Sequence, residues 1–319
     1  MRYGWVGFAA LMVTALLVLV LAVSATGAQE APALCEAAKG VYIFALSGGC
    51  GCHSSDAGLL AGGEKFEGPF GEVYASNITP HPEAGIGGWT DQEIIDAIRL
   101  GVRPDGTVLF PIMPYAYLSG MSDEDAAELV KYLRVVPPVD NRLPAPQLTA
   151  PVPPFTPPRP APATAPRAGV ERGAYLVNAL GHCGDCHTPR NPDGSPNTAR
   201  FLAGGEVPGV GMVPNITSGP ETGLGGWTPR EVATLLQTGI RPDGSEVRGL
   251  MALLVLGGYK QMTDADALAV AAYLQTLAPV ENAPPADVTP PLGSATGEGN
   301  EDEDPLELLP ETGGMLAIP

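Results

Sequence analysis

Hydrophobic positions follow three different patterns along this chain of 319 residues. Residues 5 to 23, WVGFAALMVTALLVLVLAV, form an uncharged apolar run behind a single basic residue, Arg2. That layout predicts either a cleaved signal peptide, with Thr26-Gly27-Ala28 before Gln29 as the cut, or an uncleaved signal anchor over residues 1–28, and both export the rest. In the second pattern, apolar residues recur at helical spacing behind capping signals. Thr90-Asp91-Gln92-Glu93 and Thr228-Pro229-Arg230-Glu231 are capping boxes. Ser122 and Thr263 stand where N-caps belong, ahead of Ala126, Leu129, Val130 and Leu133 and of Ala267, Val270, Ala271 and Leu274. A further helix is predicted over Glu171 to Leu180, with Tyr175, Leu176 and Leu180 on one side. No alternating strand pattern is visible, so the fold class expected is all-α.

The third pattern is an interruption. Between Val135 and Gly169 lie 12 prolines, and proline holds φ and removes backbone donors, so residues 138–167 read as an extended connector, free or laid along a domain surface.

The two flanking stretches repeat each other. Asn77-Ile78-Thr79 returns as Asn215-Ile216-Thr217, Gly85-Ile86-Gly87-Gly88-Trp89-Thr90 as Gly223-Leu224-Gly225-Gly226-Trp227-Thr228, and Arg103-Pro104-Asp105-Gly106 as Arg241-Pro242-Asp243-Gly244. Met113 and Met251 share that offset, while Cys52-His53 and Cys186-His187 lie closer together and Tyr132-Leu133 and Tyr273-Leu274 farther apart. Two homologous domains follow, over residues 33–137 and 168–281.

Composition and charge narrow the reading. With 41 Gly and 35 Pro much of the chain must be loop. A net charge of -18 excludes nucleic acid as a natural partner and favours a basic or neutral one. The excess is sharpest in residues 282–319, an acidic tail expected to be disordered. It contains Leu309-Pro310-Glu311-Thr312-Gly313, which matches a wall-sorting signal but has no membrane run behind it.

The chemistry lies in the Cys-His pairs. Cys183-Gly184-Asp185-Cys186-His187 is C-x-x-C-H, in which two thiols can add to the two vinyl groups of one haem while the adjacent His reaches the iron. Zinc would need further ligands at finger or ribbon spacing, and none lies nearby. A haem that shuttles electrons needs a sixth ligand, and a thioether is soft and raises the potential. Met113, between Pro111 and Pro114, and Met251, after Arg248-Gly249-Leu250, are the loop candidates. Met121 and Met262 read as core or cap residues. The first pair departs from the rule: Gly49-Cys50-Gly51-Cys52-His53 is C-x-C-H. His53 can still ligate and Cys52 can still form one thioether, but three fates are open to Cys50: a strained second thioether, a free thiol, or a disulfide with Cys35. Trp89 and Trp227 either wall the haem edges or fill the core, and Asn77 and Asn215 either bind propionates or fix their own turns.

Together these residues resemble the class I c-type cytochromes, and in particular the multihaem cytochrome c subunits of membrane-bound alcohol, aldehyde and gluconate dehydrogenases. The resemblance rests on Cys183, Cys186 and His187, on Asn77-Ile78-Thr79-Pro80, on Gly85 to Asp91, on Met113-Pro114-Tyr115, and on Asp123-Glu124-Asp125 leading to Tyr132-Leu133. It covers about residues 33 to 140 and 168 to 280. It implies two tandem cytochrome c domains joined by the Pro-rich linker behind an N-terminal membrane helix. It further implies two covalently attached c-type haems with three or more helices wrapped around each. His53 and Met113 would ligate the first iron, His187 and Met251 the second. The function expected is a relay of single electrons between an extracytoplasmic dehydrogenase or quinol-oxidising complex and a downstream acceptor, at the outer face of the cell membrane or in the periplasm. Two competitors stand beside it. One is a peroxidase-like or thiosulfate-oxidising dihaem enzyme, in which one iron lacks a stable sixth ligand. The other is a non-redox wall or interaction protein.

Overall fold

A computed structural model describes residues 36–192, 194–207 and 211–281. The N-terminal apolar run, Cys35 and the acidic tail with its sorting-like motif lie outside the described residues. Among the described residues no helix is long and apolar enough to cross a membrane.

The first half contains α1 (Ala38–Leu46), a tight 3-10 turn (Gly48–His53), α2 (Asp91–Leu100), the single turn α3 (Tyr115–Leu118) and α4 (Asp123–Val135). The second repeats the plan with α5 (Gly169–Tyr175), α6 (Cys183–His187), α7 (Pro229–Thr238), α8 (Gly249–Gly257) and α9 (Asp264–Thr276). The capping signals act as expected. Thr90 and Thr228 each accept the N–H of their Glu while that Glu reaches back, and both helices stop at a left-handed glycine, Gly101 and Gly239. Ser122 and Thr263 cap α4 and α9 by accepting from Asp125 and Asp266 N–H.

In each half the first and last helices cross at a glycine. A side chain on Gly40 would collide with the Glu128 carbonyl and Tyr132 Cβ on α4, and one on Gly173 with the Ala269 carbonyl and Tyr273 Cβ on α9. Backbone-to-backbone contact brings Ile43, Leu129, Val130 and Leu133, and likewise Leu176, Val270, Ala271 and Leu274, into buried cores.

Two features depart from the sequence reading, and a third bears on an alternative it left open. The molecule is mostly helical but carries two short hairpins: β1 (Lys65–Gly68) with β2 (Gly71–Tyr74), and β4 (Gly205–Val207) with β5 (Gly211–Val213). Strands of three or four residues bounded by glycine are too short to show alternation. Met251 lies inside a helix and not in a loop, because Leu250 to Leu256 contain no proline and favour helix, whereas Met113 is held between Pro111 and Pro114. The Pro-rich segment lies along the first half. Its β3 (Gln147–Leu148) pairs with β2, Phe155 packs against Tyr115, and the Pro162 and Ala163 carbonyls accept the free N–H groups of Asp123 and Glu124 at the start of α4.

The halves are clasped by a reciprocal exchange. Tyr42 on α1 donates to Asp266 Oδ2 (2.8 Å) and accepts from Thr263 N–H (3.1 Å), the N-cap of α9. Tyr175 on α5 donates to Asp125 Oδ2 (2.8 Å) and accepts from Ser122 N–H (3.0 Å), the N-cap of α4. Each half therefore completes the last helix of the other. Lys39 and Arg172 supply the matching cations to Asp125 and Asp266. Burial pushes the Asp266 carboxyl up, but Arg172 and Tyr42 outweigh it and hold it below the usual carboxylate range.

Tyr175→Phe is expected to lower stability by about 1–3 kcal/mol, because it leaves a buried carboxylate oxygen and a buried N–H without a partner. Tyr42→Phe, at a less buried pair, is expected to cost less; thermal unfolding of both variants checks the order. The Asp266 contribution is present in full above the ordinary carboxylate range and is lost as pH falls through its lowered value. Asp266→Asn should therefore flatten the acid limb of the stability profile.

Candidate haem-attachment site

The second Cys-His motif is set up by the helix before it. Beyond Tyr175 the chain continues through a wider turn over Leu176–Leu180, where Gly181 N–H donates to the Leu176 carbonyl (2.7 Å), a π-type bond of the sort found at functional sites. His182 is left-handed (φ 36°), and Cys183 then opens α6. In the first half the corresponding turn has three successive left-handed residues, Gly48 (φ 74°), Gly49 (φ 67°) and Cys50 (φ 47°), before Cys52 and His53.

Both motif histidines are anchored alike. His53 Nδ1 lies 2.6 Å from the Ser76 carbonyl, and His187 Nδ1 lies 2.8 Å from the Pro214 carbonyl. A carbonyl only accepts, so each Nδ1 carries the proton and each Nε2 keeps a free lone pair. Burial holds both imidazoles below the ordinary histidine range, against a smaller upward pull from the carbonyl bonds. The neutral ring that a metal needs is thus the stable form.

The accepting carbonyl is itself fixed by the residue after it. Asn77 accepts from Thr79 N–H (3.0 Å) and Thr79 Oγ1 (2.7 Å), and its amide donates to the Val139 carbonyl (2.8 Å). Asn215 accepts from Thr217 N–H (2.9 Å) and Oγ1 (2.8 Å) and donates to the Val280 carbonyl (2.5 Å). Both Asn side chains thus fix their own turns and tie them to the chain leaving the last helix. Trp89 and Trp227 stand half-buried against the core at the entries to α2 and α7. Met121 and Met262 are buried core residues.

Met113 and Met251 are half-buried against the core, Met113 in a loop closed by its N–H to the Phe110 carbonyl and Met251 in the first turn of α8. Cys50 and Cys183 pack against the core as well. Burial, with a smaller push from the neighbouring Cys52, raises the Cys50 thiol to about 12. Burial also raises Cys183 to about 12, so both stay protonated at neutral pH. Cys186 is pushed up to about 11, first by burial and then by Asp185, and Cys52 of the other half adds to the effect. The two motifs thus lie within electrostatic reach of each other. Among the described residues no three His, Cys, Asp or Glu side chains converge as a cage for a bare metal ion. Paired thiols, a neutral imidazole with its Nε2 free and a soft thioether in each half fit a covalently held haem.

The halves also cover each other's motifs. A side chain on Gly184 of α6 would meet the Tyr117 hydroxyl of α3 at 2.9 Å, and one on Gly49 would meet the Gly257 carbonyl of α8 at 2.9 Å. Each methionine-bearing segment therefore packs over the other half's Cys-His turn. Sequence reasoning missed Tyr42 and Tyr117, read Tyr175 only as part of a helix face, and missed the carbonyls of Ser76 and Pro214. The carbonyls alone had a signal, since each directly precedes a repeated Asn-Ile-Thr. It missed Arg103 too, which donates to Ser76 Oγ (3.2 Å), whereas Arg241 turns to its own loop at Ser245 and Glu246.

No protein-family profile matches the chain. It is 35% identical over 268 residues to a dihaem c-type cytochrome of Cereibacter sphaeroides, covering 77% of this chain and 87% of that protein. It is 34% identical to the fructose dehydrogenase cytochrome subunit of Gluconobacter japonicus, over 87% of this chain and 60% of that one. It is also 35% identical to the cytochrome c subunit of the quinone-linked alcohol dehydrogenase of Gluconobacter oxydans, over 87% of this chain and 61% of that one. The chain thus spans about 60% of the length of these two dehydrogenase subunits.

Asn77→Ala is expected to lower stability by about 1–3 kcal/mol, because it strands the buried Thr79 N–H and removes the tie to the Val139 carbonyl. Chemical denaturation measures it, and Asn215→Ala should cost a similar amount.

Proposed function

The chain belongs to the c-type cytochrome family, and from that membership we propose that it is an exported dihaem cytochrome that relays single electrons. The donor would be an extracytoplasmic dehydrogenase or quinol-oxidising complex, and the acceptor a downstream redox protein. The observation that carries this reading is the recurrence, in both halves, of an imidazole whose Nδ1–H is held by a carbonyl and whose Nε2 is free, directly after a cysteine. His53 and Met113 would hold one iron, and His187 and Met251 the other, with thioethers at Cys52, Cys183 and Cys186. When bound, the haem would supply one-electron chemistry between ferric and ferrous iron.

The rest is the work of the polypeptide. Burial keeps the imidazoles neutral and the Ser76 and Pro214 carbonyls orient them, and the half-buried methionines would supply a soft neutral ligand that favours the ferrous form. Because α3 and α8 each lie over the other half's Cys-His turn, the two sites adjoin, and an electron entering one half can leave by the other. The N-terminal apolar run would place the relay at the outer membrane face or in the periplasm. The net charge of -18 suits a basic face on the partner.

Protein made with a c-type maturation system is expected to show two haems per chain by pyridine haemochrome and a low-spin spectrum that carbon monoxide does not alter. Carbon monoxide binding to the wild-type reduced protein would shift the reading to the dihaem-enzyme alternative, and a haem-free product would end it. Met113→Ala and Met251→Ala should each convert one haem of the two to a form that binds carbon monoxide and has a lower potential. Partner association should slow as ionic strength rises.

A further inference from the structure

The first Cys-His turn has the same number of residues as the second. From Leu46 to His53 and from Leu180 to His187 the chains run in step, so Gly49 stands where Cys183 stands in the second half, and Cys50 stands where Gly184 does. The backbones differ. In the second turn only His182 is left-handed, and helix begins at once with Cys183. In the first the left-handed conformation runs through Gly48, Gly49 and Cys50. Two glycines adopt it freely, but a cysteine does so against a steric cost. The other half leaves little room beside this turn: a Cβ on residue 49 in its left-handed conformation would lie 2.9 Å from the Gly257 carbonyl at the end of α8. In this turn a cysteine at residue 49 would be both left-handed and crowded by α8. Delayed by one residue, the thiol of Cys50 still packs against the first half's core, as Cys183 packs in the second.

We propose that Cys50 is the second covalent attachment point of the haem held by His53, which makes C-x-C-H a working variant of the attachment motif. The proposal rests on the two-haem reading above. In the step itself, the Cys50 S–H adds across a haem vinyl C=C. Sulfur bonds to one vinyl carbon, hydrogen ends on the other, and the π bond is lost. The addition is a net redox-neutral union of thiol and alkene, and it needs the thiol reduced.

The test uses the holoprotein with its second half as internal reference. Trypsin releases Gly40–Lys65, which contains Cys50 and Cys52 only, and Gly173–Arg190, which contains Cys183 and Cys186 only. The unfolded protein is treated with iodoacetamide, with and without prior reduction of disulfides, and then digested and weighed. The expected result is a haem-bearing Gly40–Lys65 peptide with no alkylated cysteine under either condition, matching Gly173–Arg190. Alkylation of Cys50 without reduction means a free thiol and overturns the proposal. Alkylation only after reduction means a disulfide and overturns it too, and both results leave the two-haem reading standing. A Gly40–Lys65 peptide without haem overturns both, and is told apart by its mass. In Cys50→Ala holoprotein, half of the pyridine haemochrome α band should move to the position of a singly linked haem, and an unmoved band is the contrary result.

Discussion

The bond from a half-buried imidazole Nδ1–H to a main-chain carbonyl is the constraint on which each half turns. It decides which nitrogen of the neutral ring carries the proton, and so whether Nε2 can serve a metal. It also joins distant parts of the chain, because the carbonyl precedes an Asn-Thr turn whose amide is bonded to Val139 or Val280, just beyond the last helix. That helix is pressed against the first one at Gly40 or Gly173, and the first helix delivers the Cys-His turn. The ring, its acceptor and the two crossing helices thus form a closed circuit, in which loosening any member moves the histidine.

Joining two such circuits produces an arrangement with near two-fold symmetry. Tyr42 and Tyr175 trade places at the caps of α9 and α4, and α3 and α8 trade places over the Cys-His turns. Such exchange is typical of an isologous contact, in which one patch meets its own copy, here within a single chain. The Pro-rich segment is held to the first half by strand pairing and by its carbonyls at the start of α4. It behaves as a strap, with the halves docked directly on each other.

The symmetry is incomplete where function would separate the halves. Arg103 reaches the side chain of the residue that anchors His53, while Arg241 faces its own loop. Met113 sits in a proline-held loop and Met251 in a helix. The first Cys-His turn is left-handed over three residues, and the second over one. In the proposed relay such unequal surroundings would give the two haems unequal potentials, since burial, neighbouring charge and ligand rigidity all tune a haem.

The sequence by itself determined whatever is local or repeated. Thr90, Thr228, Ser122 and Thr263 cap the helices they were expected to cap, because a cap is a bond between residues three apart. Cys183, Cys186 and His187 stood out by their spacing as a candidate attachment motif, and the repeat announced a second copy of the plan. Strands of three or four residues and the helix around Met251 were not legible, being too short or too uniformly apolar for periodicity to register. Only the tertiary structure decided the rest. That Tyr175 completes a cap 53 residues upstream, that Ser76 and Pro214 present the carbonyls, and that Gly257 closes the space at Gly49 are contacts between segments remote in sequence. Each depends on where two helices cross, and a crossing is set by packing over the whole core, which no local pattern records.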